Sequence, residues 1–123
     1  MRLCVIDARL GICRLMPEQA VPRWAVEGEW WSITRTTDEL SVVAPMTSIP
    51  ASVPMTGPWR AFQVEGPLEH DLVGVLAGLA APLAAGGISI FALSTFDTDY
   101  LLVSDERLED ATSALRLAGH LVS

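Results

Sequence analysis

Apolar positions in WRAFQVEG (59–66) fall on the period of a strand, with Trp59, Ala61, Gln63 and Glu65 on one side alternating against Arg60, Phe62 and Val64 on the other. A period of two predicts a strand, and Gly66-Pro67 stops it. The period then changes. Leu72, Leu76, Leu79 and Leu83 recur at helical spacing beside the small residues Gly74, Gly78, Ala81 and Ala85. This predicts a helix from Leu72 to about Ala85, with Asp71 as its N-cap, Pro82 bending its last turn and Gly86-Gly87 ending it. The large stripe suits packing on a sheet, and the small one suits close approach of a partner helix or a neighbouring subunit. ISIFALST (88–95) is apolar on both faces, as a central strand would be. YLLVS (100–104) returns after a turn at Asp97-Thr98. Asp105 then opens a second helix with Leu108, Ala111, Leu115 and Ala118 on one face and Glu106, Arg107, Asp110 and Arg116 on the other. Gly119 closes that helix, and HLVS begins a last strand.

The order is β-α-β-β-α-β, the ferredoxin-like split unit, so the fold class is α+β. The first half reads as a degenerate version of the same plan. RLCVI and GICRL pair as strands around Gly11, and MPEQAVPRWAV makes a short, poorly formed helix between Pro17 and Pro22. WWSITR (30–35) and ELSVVAP (39–45) form a hairpin, and Pro50, Pro54 and Pro58 mark an irregular connection. Two ferredoxin-like units in tandem are expected, residues 1–58 and 59–123.

Charge narrows the partners. The chain holds 8 Arg and Lys together, all of them Arg, against 15 acidic residues, for a net charge of −7. Such a balance argues against nucleic acid and anionic membrane as partners. The lack of Lys removes Schiff-base chemistry and the phosphate-loop lysine. From Leu72 to Leu93 there is no charged residue, but Pro82 and Gly86-Gly87 limit the helix to about 14 residues, roughly 21 Å. A hydrocarbon core needs ~30 Å, so a buried helix and strand are expected rather than a span. Asp7, Arg9 and Arg14 interrupt any apolar leader at the N-terminus, and a cytoplasmic protein is expected. Cys4 and Cys13 read as buried reduced thiols, with a disulfide or a reactive thiol as the other possibilities.

One turn is richer in chemistry than a turn needs. STFDTDY (94–100) sets Asp97 and Asp99 among hydroxyls and rings. Asp and Thr hydrogen-bond their own backbone in turns, so turn chemistry and a ligand site compete as explanations. The segment Thr34–Leu40 can be laid over Thr95–Leu101 as T-x-x-T-D-x-L, which favours an internal duplication over chance and sets Asp38 against Asp99.

The stretch VEGPLEHDLVGVLAGLAAPLAAGGISIFALSTFDTDYLLV resembles the second unit of the small bacterial tandem ACT-domain proteins, and WWSITRTTDELSVVAP resembles the signature of their first. A weaker resemblance extends to the ACT pairs of the eukaryotic cytosolic arginine sensor. ACT domains are regulatory modules that often bind amino acids. The resemblance implies a ligand held by the loop entering the first helix (Leu72, Val73, Gly74, Val75) and by the hairpin loop (Thr95, Phe96, Asp99). Physical chemistry suits that assignment: helix-start amides match an α-carboxylate, and Asp99 matches an ammonium. Where Leu72 stands, the arginine-sensing relatives carry an acidic residue, so a small or apolar amino acid fits this chain better than a guanidinium.

The remaining polar residues add little. His70 reads as a solvated loop residue, with ligand contact as the lesser possibility, and His120 as a surface residue. Two distant histidines without a cysteine pair give no metal site. Of Trp30 and Trp31, one ring belongs to a core and the other to an interface or to solvent. No nucleophile–base pair, metal spacing or phosphate loop marks an enzyme, and no cofactor is implied. The expectation is a non-catalytic regulatory homodimer that binds a small-molecule amino acid. Its rival is a ligand-free module for oligomerisation or protein interaction.

Overall fold

Phe62, Val64, Leu79, Leu83, Leu101 and Leu115 share one buried cluster, and the elements that carry them are strands and helices in mixed order. The computed structural model describes residues 1–123. In chain order the strands are β1 (Arg2–Val5), β2 (Leu10–Leu15), β3 (Ser32–Arg35), β4 (Leu40–Pro45), β5 (Thr56–Val64), β6 (Phe91–Ser94), β7 (Asp99–Ser104) and β8 (Leu121–Val122). The helices are α1 (Val75–Ala85) and α2 (Leu108–Leu117), with 3-10 turns at Arg23–Val26, Met46–Ser48 and Asp105–Arg107. Residues 1–7 cluster with residues 60–123, and residues 8–59 form the other compact unit.

In the larger unit β6 pairs with β7, β7 with β5, β5 with β1, and β1 with β8. The sequence β5-α1-β6-β7-α2-β8 is the α+β ferredoxin-like order that the hydrophobic periods indicate. One strand is additional. β1 lies between the first and last strands of that order, antiparallel to β5 (Leu3↔Val64) and parallel to β8 (Leu3↔Val122). The expected pairing of RLCVI with GICRL therefore does not form. Leu3 is buried in the cluster of Phe62 and Leu115, whereas Cys13 of β2 is buried with Ala25, Leu40, Val42 and Ala44. Each strand follows the core that takes its apolar face.

Other expectations shift at their ends. α1 starts at Val75 rather than Leu72, and its N-cap is Gly74 in the left-handed region, with no side-chain cap. Asp71 thus caps nothing at α1: Leu72 N–H bonds the Glu69 carbonyl at 3.2 Å, closing a separate turn before the helix. The helix end matches expectation. Ile88 N–H reaches the Leu83 carbonyl (2.9 Å) and Gly87 N–H the Ala84 carbonyl (3.0 Å), a Schellman pair with Leu83 and Ile88 both buried. That use of Ile88 shortens the next strand. β6 starts only at Phe91 and pairs with β7 alone, so it is an edge strand and not a central one. The apolar run looked two-sided because its first half fills the space under the helix end.

In the smaller unit β4 pairs with β2 and β3, and β2 also pairs with the start of β5 at Leu10↔Trp59 and Ile12↔Thr56. The helix expected between Pro17 and Pro22 is absent, and a single 3-10 turn, Arg23–Val26, follows Pro22 instead. Two prolines five residues apart leave too few amides for a helical turn between them. The Arg35 guanidinium donates to the carbonyls of Pro17 and Gln19, which ties this irregular segment to β3.

Candidate functional site

The turn at 95–98 is held from three directions. Thr95 N–H bonds the Thr98 carbonyl at 2.8 Å, and the Thr95 hydroxyl meets the same carbonyl at 3.2 Å. Thr98, which is buried, turns its hydroxyl inward to the Val64 carbonyl at 2.5 Å. Leu68 N–H donates to the Asp97 carbonyl at 2.7 Å, so the segment after β5 is laced to the hairpin. Gly66 permits this approach, because a Cβ there would lie 2.9 Å from the Asp97 carbonyl oxygen. His70 closes the set. Its Nε2 donates to the Phe96 carbonyl at 2.6 Å, and its ring meets the Phe96 ring edge-on with centroids 4.5 Å apart.

These links border a cleft of about 240 Å³, lined by Leu72, Val75, Thr95, Phe96 and Asp99 together with Leu68, Glu69, His70, Asp97 and Thr98. Five of the seven expected site residues line it. Val73 does not: its side chain is 95% exposed. Gly74 does not line it either, but sets the entry to α1 at φ +82°, with nothing within 4 Å of where a Cβ would stand. The start of α1, without a side-chain cap, leaves the amides of its first turn without such a partner. Asp99 Oδ1 accepts a hydrogen bond from the Ser94 hydroxyl at 2.7 Å, which orients its carboxylate.

Glu69, Asp97 and Asp99 give the cleft carboxylates, and no Arg lines it. Partial positive charge comes from the helix start instead. An ammonium and a carboxylate on one small molecule would match this arrangement. His70, Glu69 and Leu68 were not among the expected site residues. His70 stood in the sequence as a loop residue before the helix, and nothing in its spacing shows that its imidazole reaches Phe96.

The paired ladders set the two hairpins in a different register from the one that T-x-x-T-D suggests. In β3 and β4, Ser32 lies opposite Val43 and Arg35 opposite Leu40; in β6 and β7, Phe91 lies opposite Leu102 and Ser94 opposite Asp99. The Thr36 N–H bonds the Glu39 carbonyl as Thr95 N–H bonds that of Thr98. The position of Asp38 therefore corresponds to Asp97, and that of Asp99 to Leu40. The T-x-x-T-D match sets Thr residues together that hold different places in the two turns. Asp99 has no repeated carboxylate.

A family model of the ACT domain matches residues 56–116, from the start of β5 into α2. The chain is an ACT-domain protein. A second family model, of an N-terminal domain, matches residues 8–52. This ACT-domain chain is 41% identical to an Agobacterium tumefaciens protein of known crystal structure, with a TM-score of 0.93 over 99% of this chain and 91% of that one. It is 37% identical, over 59 residues, to the human "Cytosolic arginine sensor for mTORC1 subunit 1", a match that covers 47% of this chain and only 18% of the sensor. Aspartokinase alpha and beta subunits share the fold, with a TM-score of 0.67 at 19% identity over 96% of this chain and 97% of theirs. ACT domains generally bind amino acids in regulatory roles. No helix of the chain is long and apolar enough to cross a membrane.

Proposed function

We propose that this protein is a non-catalytic regulatory module that binds a small amino acid in the cleft between the start of α1 and the 95–99 hairpin. The observation that carries the reading is that Leu72, Val75, Thr95, Phe96 and Asp99 line one cleft. In this reading the α-carboxylate meets the uncapped amides at the start of α1, and the ammonium meets Asp99, already oriented by Ser94. Leu72 and Val75 form the apolar wall, which favours a small or apolar side chain. The match to a cytosolic sensor supports a cytoplasmic regulatory role.

The tandem reading, with a degenerate first unit, draws on the two hairpins that share a turn and a ladder register. Homodimerisation is part of the same proposal, supported by the charge-free α1 and its exposed Leu76. A ligand-free interaction module is the second reading, and one observation favours it. Val73 and Phe96 are 95% and 81% exposed beside the cleft, as residues that meet a protein partner would be. Thermal unfolding with each common amino acid at millimolar concentration separates the two. A ligand at 100 times its dissociation constant adds about 2.7 kcal/mol. The proposal expects at least one amino acid to raise Tm and Asp99→Ala to abolish the shift; no shift with any would leave the interaction module.

A further inference from the structure

A second cleft, of about 340 Å³, opens where β1, β8 and the end of α2 meet, lined by Arg2, Glu65, Arg116, His120, Leu121 and Val122. It shares no lining residue with the hairpin cleft. Its size reaches the range of small-molecule sites, which begins at about 300 Å³. Its charge is opposite to that of the molecule. Two of the few Arg side chains converge here in a chain of net charge −7.

The charged groups are held apart rather than paired. Glu65 N–H bonds the Arg2 carbonyl at 2.8 Å, so the two residues are joined by their backbones, yet no ion pair links the Arg2 guanidinium to the Glu65 carboxylate. Arg116 gives one terminal nitrogen to the Val122 carbonyl at 2.8 Å, which fixes the direction of its planar fork. His120 donates Nε2 to the Gly78 carbonyl at 3.2 Å and braces the wall. Leu121, 58% exposed, and Val122 supply an apolar side. The result is two guanidiniums and one carboxylate around a partly apolar space.

We infer that this cleft binds an acidic amino acid, its two carboxylates on Arg2 and Arg116, its ammonium on Glu65, and its methylene stem along Leu121 and Val122. Charge selects the class. Among the lining side chains two guanidiniums stand against one carboxylate, a surplus of one positive charge that the single net negative charge of aspartate or glutamate matches. A basic amino acid brings a cation to two guanidiniums. Phosphate meets the guanidiniums but also Glu65, and a dicarboxylate without an amine leaves Glu65 unmatched. This inference stands independently of the hairpin cleft.

Calorimetric titration of the full chain with L-glutamate, L-aspartate, glutarate, L-lysine and inorganic phosphate tests it. Saturable binding of glutamate or aspartate is expected, at least about tenfold tighter than glutarate or phosphate, since a charge-assisted hydrogen bond carries roughly that factor. Arg2→Gln removes no hydrogen bond of the free protein and is expected to weaken binding about tenfold or more without changing Tm. Glu65→Gln is expected to abolish the preference for glutamate over glutarate, while Asp99→Ala leaves it intact. Equal binding of phosphate or glutarate, no saturation by either acidic amino acid, or full affinity in Arg2→Gln would each overturn the inference.

Discussion

His70 grips Phe96 twice, through Nε2 to its carbonyl at 2.6 Å and through its ring against the phenyl edge at 4.5 Å. Thr98 grips the same hairpin from the buried side, through its hydroxyl to the Val64 carbonyl. Burial makes the two unequal. The His70 bond is exposed, so water replaces it, and His70→Ala should cost below about 1.5 kcal/mol. Thr98→Val keeps the shape but removes a hydrogen bond to a buried carbonyl, and should cost about 1–3 kcal/mol. Urea denaturation of the two variants gives the comparison. Equal losses would mean that the hairpin is not anchored from within.

Gly74 turns the chain into α1 with φ +82°, where a side chain would meet nothing within 4 Å. Any cost of Gly74→Ala is then backbone strain alone, about 1–2 kcal/mol. The same denaturation experiment reads it. A neutral or stabilising substitution would mean that the residue before α1 does not hold the left-handed conformation in solution.

Burial pushes the Cys13 thiol above its ordinary value of 9.0. The unfolded chain loses this proton first as pH rises, so the thiol's contribution is fully present below pH 9.0 and declines as pH climbs through the folded value. In the native protein at pH 8, a thiol reagent should modify the partly exposed Cys4 well before Cys13. Faster labelling of Cys13 would contradict its place in the core of the smaller unit.

Strong periodicity made the larger unit legible. The alternation of residues 59–64 and the leucine stripe of α1 each have one solution, and both helices end at the glycines expected of them. Contacts between distant segments were not legible. No local pattern in RLCV shows that β1 sits between β5 and β8, because an apolar strand fits either core equally well until the partners are known. For the same reason the two-faced look of ISIFAL misled: Ile88 belongs to a helix end and Phe91 to an edge strand. The site divides along similar lines. A family-like loop and hairpin identified Leu72, Val75, Thr95, Phe96 and Asp99, which do line one cleft, while His70 and Leu68 join it only through bonds to the Phe96 and Asp97 carbonyls. Turn letters proved poor markers of register, since Thr and Asp satisfy a turn at several offsets and only strand pairing separates Asp97 from Asp99.

The central claim is the place of the ligand. Backbone amide shifts, followed by NMR while the protein is titrated with each common amino acid, measure it directly. At least one amino acid is predicted to move the amides of residues 72–75 and 95–99 saturably, and Asp99→Ala to remove that response. Failure of every amino acid to move these two segments saturably, whatever it moves elsewhere, would contradict it.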